Sequence, residues 1–293
     1  MAKRGPKRQP QRLEDSEWLR RLDRISDIVD AWRKRAENPR SPEPGSSLAA
    51  DSIDGLSVDN PVWYSMCISS EHLDFAIDAM RATSTMYPTA YMTVARTAFV
   101  AAVNAVWVLA PPTRQERRER ALRLRADDLR VQVTSFRDMQ IPEGKPEKAR
   151  TGLLEQLRDR QTDLQRVATA LGVQEDVTKI RFHQTGAINW VAQHMHGVDD
   201  DLLIGATQAI WRSGSAAAHA QYHFGVMRLD RNEVVREESG GSIVRLRGDL
   251  DNDVGPAIAA ATMTLNEAFR LYDLRSVAHI RSRARLILRG AGE

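Results

Sequence analysis

Between Ser16 and Arg35 the apolar residues Trp18, Leu19, Leu22, Ile25, Ile28, Val29 and Trp32 recur at three- and four-residue steps. That spacing predicts an amphipathic helix with one face to bury, either on its own domain or on a partner subunit. The segment NPRSPEPGSSLAADSIDG follows, rich in Pro, Ser, Gly and acid, and reads as a linker or long surface loop. A helical body is expected from residue 60 onward, with Asp59 or Asn60 as cap, Pro61 at the first position and apolar residues running to Met86.

After a Tyr87-Pro88 break, Thr89 to Ala110 forms a strongly apolar helix closed by Pro111-Pro112. Thr113 then caps RQERRERALRLRADDLRVQ, whose charge predicts a long, mostly exposed third helix. IPEGKPE reads as a loop, and EKARTGLLEQLRDRQTDLQRVATALG as a fourth helix with Gly172 at its C-cap. Such pairs suggest antiparallel helical hairpins. A short helix is expected over Gln184 to His196, and another from an Asp199 to Asp201 cap to about Phe224. Period-two, β-branched residues on either side of Ser239-Gly240-Gly241 predict a small β-hairpin over 226–247. A last helix, Pro256 to Leu288, begins apolar and ends basic. The expected organisation is a basic tail at 1–14, a helical arm at 15–37, a linker at 38–59 and an all-α domain at 60–293 carrying the hairpin.

Composition narrows the function classes. The chain has 293 residues, 42% hydrophobic and 28% charged, the balance of a globular domain that needs no staple. Cys67 is the only cysteine, so neither an internal disulfide nor a thiolate zinc cluster can form, which fits a cytoplasmic setting. The apolar run from Ala98 to Pro112 contains Asn104 and falls short of the ~20 residues of a membrane helix, so a buried core helix and no membrane partner are expected. No apolar stretch follows the N-terminal Lys and Arg, so no signal peptide is expected there. With 42 basic and 39 acidic residues the net charge is only +3, and any nucleic-acid surface must be local. The basic concentrations are Lys3, Arg4, Lys7, Arg8 and Arg12 at one end, and Arg275, Arg281, Arg283, Arg285 and Arg289 at the other.

Candidate chemistry gathers in WRSGSAAAHAQYH. Arg212 and His219 are seven residues apart, so on a helix they return to within about 20° of one face two turns later. Ser215 lies on the same stripe, and His223 continues it one turn further. Ala216, Ala217 and Ala218 would let a second helix, from this chain or another subunit, approach closely. An imidazole exchanges protons near neutral pH, and a guanidinium holds a phosphate with two parallel bonds. RNA supplies its own 2′-hydroxyl nucleophile, so cleavage needs only acid–base help and charge stabilisation, without metal or cofactor.

Arg212, six intervening residues and His219 resemble the R-x(4 to 6)-H motif of the HEPN superfamily of helical ribonucleases and nucleotide-binding proteins. EHLDFAIDAMRATSTMYPTAYMTVARTAFVAAVNAVWVLAPPTRQERRERALRLR together with IWRSGSAAAH is also similar to a broad set of uncharacterised actinobacterial helical proteins. The resemblance implies a four-helix core, a homodimer that pairs two motif helices, and metal-independent endoribonuclease activity in phage defence or a toxin system under a protein regulator. Arg212 and His219 would be catalytic, with Ser215 and His223 in support. Ser213 stands where those ribonucleases carry Asn, Asp or His after the arginine, and Val100 and Ala101 stand where the uncharacterised relatives often carry a Glu-Asn pair. The alternative is therefore a catalytically inactive helical module binding protein or nucleic acid.

Other readings of the same residues stay open. Arg212 and His219 can be structural, paired with Glu71 or Asp74 across a helix interface. His219 and His223, with His194 and His196, can hold a metal, though no carboxylate stands at a recognisable spacing. Ser215 as a nucleophile lacks a strand-turn-helix elbow. His72 and His183 read as packing or surface residues, and Trp32, Trp63, Trp107, Trp190 and Trp211 as core, with Trp18 semi-exposed.

Overall fold

The computed structural model describes residues 17–140, 147–229, 235–236, 242–243 and 248–278. Ten α-helices account for most of them: α1 (Glu17–Glu37), α2 (Ser47–Asp51), α3 (Asp59–Thr83), α4 (Pro88–Leu109), α5 (Arg114–Asp138), α6 (Glu147–Ala170), α7 (Gln184–His196), α8 (Asp201–Ala218), α9 (Tyr222–Val226) and α10 (Gly255–Ser276). The protein is all-α in class, as its periodicity predicts. Two short strands, β1 (Val235–Arg236) and β2 (Ser242–Ile243), pair antiparallel with Val235 opposite Ile243. The other residues of 230–247 lie outside the described ones, so most of the expected hairpin does too. Its first residue, Val226, belongs to α9 instead.

The chain divides into two compact units, and α3, α4, α7 and α10 each contribute residues to both. The first comprises residues 1–39, 65–103 and 188–267. Here α1 buries Leu22, Val29 and Trp32, the face its spacing predicts. It docks on its own chain: Arg81 donates to Asp23 and to the Ser26 hydroxyl, and Arg33 pairs with Asp74 at 3.0 Å. Met66, Leu73, Ile77, Met92, Phe99, Ile188 and Val191 are buried in the same unit. Asp249 caps a π-helical turn over Leu250–Val254 that leads into α10, and Arg228 ties α9 to that turn by pairing with Asp253 while its guanidinium lies 3.8 Å over the Phe224 ring.

The described residues of the second unit fall within 40–64, 104–187 and 268–278, and buried arginines organise it. α4 ends at Leu109 before Pro111-Pro112, where no glycine is available to turn the chain and cover the last helical carbonyls. Arginines cover them. Arg120 donates to the Trp107 carbonyl at 2.7 Å and Arg275 to that of Leu109 at 2.6 Å, while Arg117 donates to those of Pro111 and Pro112 in the turn beyond, at 2.9 and 3.0 Å. Positive groups at a helix C-terminus also suit its dipole. Arg117 is neutralised by Asp51 through Nε and Nη2, with side-chain exposures of 3% and 0%, and Nη2 also reaches the Ser47 hydroxyl. Arg118 closes the C-terminus of α2 through the carbonyls of Ala50 and Asp51.

These contacts correct three expectations. α5 is not a solvated helix: beneath its charged sequence Arg117, Arg120, Ala121, Leu122, Ala126 and Leu129 are buried. The segment expected as a linker at 38–59 contributes α2 and buries Leu48, Asp51, Leu56 and Val58. α10 stops at Ser276 instead of running to Leu288, because Glu43 engages its end, its N–H donating to the Ser276 carbonyl and its carboxylate accepting from Ala278 N–H. Burial pulls the Arg275 guanidinium below the ordinary arginine range, helped by neighbouring Arg117. Residues 281–289 lie outside the described ones.

Several predicted boundaries hold. Thr113 caps α5 by accepting from Glu116 N–H, and Gly172, at φ +76°, ends α6 with Val173 N–H reaching back to Ala168 O. At α3 the capping hydroxyl comes from Ser57, which accepts from Asn60 N–H, so neither Asp59 nor Asn60 is the cap. Among the described residues α4 alone is long and apolar enough to cross a membrane, exceeding the run from Ala98, and 61% of its most apolar window is buried in the fold.

Removing one member of a desolvated ion pair strands the other. Asp51→Ala is expected to lower unfolding stability by about 3–5 kcal/mol in urea denaturation, and adding Arg117→Leu to recover much of that loss. A single variant within about 1 kcal/mol of the parent would contradict the role given to this pair.

Candidate functional site

Asp200 starts α8 by accepting from Leu203 N–H at 3.0 Å, and Asp201 places a negative charge in the first turn. The other end departs from the sequence reading. α8 stops at Ala218, His219 is its C-cap, and Ala220 takes a left-handed φ of +50°. Gln221 N–H then reaches back to Ala216 O and Ala220 N–H to Ala217 O, the closing bonds of a Schellman turn. His223 sits beyond this turn on α9, so the stripe ends at His219.

Arg212, Ser215 and His219 occupy successive turns at the end of α8, with Arg212 and His219 exposed and Ser215 half-buried. Successive turns put them on one side of the helix, with Arg212 and His219 about 10 Å apart along its axis. Neither Arg212 nor His219 has an ion-pair partner among the described residues. Asp74, an acid considered for pairing with Arg212, is engaged by Arg33, and its carboxyl is raised above the usual range by burial despite that arginine.

Ser215 has an unforeseen partner. Arg96 of α4 donates from Nε to the Ser215 hydroxyl oxygen at 2.8 Å. The approach depends on Gly214, where an added Cβ would lie 2.5 Å from Arg96 Cβ and 3.1 Å from the Met92 carbonyl oxygen. α8 therefore packs against α4 of its own chain at Gly214, next to the buried Ala216. Arg96 is the one guanidinium set within the apolar α4, a position for which burial alone lowers its proton affinity from the ordinary arginine range. A charge interrupting an apolar helix was the available signal for it.

The remaining candidates have other partners. His194 Nε2 lies 3.0 Å from Glu267 Oε1 and its ring stacks on Trp190, while His72 Nδ1 meets the Ile68 carbonyl at 2.8 Å. Among the described residues no three His, Cys, Asp or Glu side chains gather to hold a metal. Cys67 faces the Ala36 carbonyl at 3.8 Å, and burial pushes its thiol up, away from the reactive thiolate.

The site thus offers an exposed imidazole and two guanidiniums without carboxylate partners among the described residues, groups suited to holding an oxyanion and exchanging a proton. No protein-family model matches the chain, and neither characterised proteins nor solved structures yield a match.

Because the Gly214 contact is with backbone and a stem carbon, the neighbours have little freedom to move aside. Gly214→Val is expected to destabilise the protein by about 1–3 kcal/mol in thermal or urea unfolding. An unchanged midpoint would show that α8 does not seat on α4 at this residue.

Proposed function

We propose that the end of α8 is a metal-independent endoribonuclease site, completed when two copies of the chain bring their α8 helices together around an HEPN-like four-helix core. The observation that carries the reading is the exposure of Arg212 and His219 at one end of α8 without a carboxylate partner among the described residues. Arg212 holds the scissile phosphate. One His219 takes the proton from the RNA 2′-hydroxyl, whose oxygen attacks phosphorus, and the His219 of the second copy protonates the departing 5′-oxygen. The products are a 2′,3′-cyclic phosphate and a 5′-hydroxyl end. Ser215 supports these groups, and a role in phage defence or a toxin system under a protein regulator is part of the same reading.

A second reading is a helical interaction module without catalysis. It is favoured by the apolar residues left exposed on and beside α8 and α9: Val198, Leu202, Tyr222 and Met227 at 68%, 81%, 86% and 80%. Exposed side chains of this size at the two ends of α8 give a partner apolar surface to cover.

Incubation of the purified chain with end-labelled RNA in excess EDTA separates the two. Cleavage to cyclic-phosphate ends is expected, with a rate reduced by about a hundredfold to ten-thousandfold in His219→Ala and Arg212→Ala. Absence of cleavage by dimer and monomer alike, or equal cleavage by the variants, rejects the ribonuclease reading in favour of the module.

A further inference from the structure

Arg96 is the one arginine of the apolar helix α4. It is half-buried on an apolar helix, and its one hydrogen bond among the described residues leaves from Nε to a neutral hydroxyl. No acid among the described residues neutralises it. In the second unit, by contrast, Arg117 and Arg120 meet both carbonyls and carboxylates. A guanidinium partly withdrawn from water and without a counter-charge attracts an anion more strongly than a fully solvated one. It also meets α8 at Ser215, one turn from both Arg212 and His219.

We infer that Arg96 is a second phosphate-binding residue of the α8 site, oriented by Ser215 and taking a phosphodiester oxygen of single-stranded RNA through its Nη groups. The inference deepens the ribonuclease reading and rests on it for the identity of the ligand. With Nε fixed by Ser215, both Nη groups keep donors for an anion, and the planar fork gives the paired geometry that a phosphate oxygen edge accepts. Ser215 is then a positioning residue: it holds the fork and does not touch the substrate. Gly214 has a part as well, because any side chain there would push the stem of Arg96 away from α8.

The test uses the full chain in EDTA and a 2′-O-methyl tetranucleotide, which cannot be cleaved, with inorganic phosphate as a separate arm. The Arg96 Nε–H resonance, assigned by its loss in Arg96→Lys, is followed by ¹⁵N NMR, and affinity by fluorescence anisotropy. The oligonucleotide is expected to shift that resonance, and Arg96→Gln to bind it about tenfold or more weakly. Arg96→Lys keeps stem and charge but not the fork, so it should fall between the two. Ser215→Ala should weaken binding without disturbing the packing of the stem, and Arg160→Gln, an exposed arginine on α6, should bind like the parent. Melting curves of each variant separate lost binding from lost folding.

The inference is overturned by an unmoved Arg96 resonance, by parental affinity in a folded Arg96→Gln, or by a response to inorganic phosphate alone. Cleavage that needs His219 but tolerates Arg96→Gln and Arg96→Lys would sink this inference and leave the ribonuclease reading standing. Oligonucleotide binding that depends on Arg96 in a protein that cuts no RNA would do the reverse.

Discussion

The second unit depends on one interaction, the desolvated pairing of Arg117 with Asp51. α4 runs into two consecutive prolines, and the carbonyls of Pro111 and Pro112 just beyond its end need donors from elsewhere. A guanidinium does this well, since it offers five donors in one plane, but burying it requires a carboxylate. Asp51 supplies the carboxylate, so α2, the proline turn after α4 and the start of α5 are held by a single charged group with its donors distributed among them. Arg120 and Arg275 extend the arrangement to further carbonyls, which also places the end of α10. What looks like a run of solubilising charge is the cap of a buried helix.

The same chemistry separates two kinds of arginine. Arg117, Arg120 and Arg275 spend their donors on backbone carbonyls, and the first two have acids at hand. Arg96 is only half-buried and among the described residues meets the Ser215 hydroxyl and no acid, and Arg212 stands in solvent, likewise with no acid among those residues. A paired, carbonyl-capping arginine completes the fold. An unpaired one near an exposed imidazole leaves donors for a ligand, and the functional reading grows from that difference.

Much of the fold was legible because helices announce themselves by period and by caps. The apolar face of α1, the Thr113 cap and the Gly172 stop all follow from local rules. The end of α8 was not, because its left-handed turn falls on Ala220, a residue that ordinarily avoids that conformation and gives no warning of it. Periodicity therefore carried the helix through His223. The burial of α5 was hidden for a related reason: composition reports charge, while the fate of each arginine depends on a carbonyl or carboxylate far away in sequence. Within the site, Arg212, Ser215 and His219 could be placed together from spacing alone. Arg96 could not, since it reaches Ser215 from a separate helix.

Arg96 and Arg212, which have no carboxylate partner among the described residues, and not the carbonyl-capping arginines, are assigned to the ligand. The most direct test of that assignment is a crystal structure of the full chain with the 2′-O-methyl tetranucleotide bound in the presence of chelator. The account predicts phosphate oxygens within hydrogen-bonding distance of Arg212 and Arg96 beside His219, with Arg117 still on Asp51. An oligonucleotide seated on other residues, with Arg96 and Arg212 untouched, would contradict it.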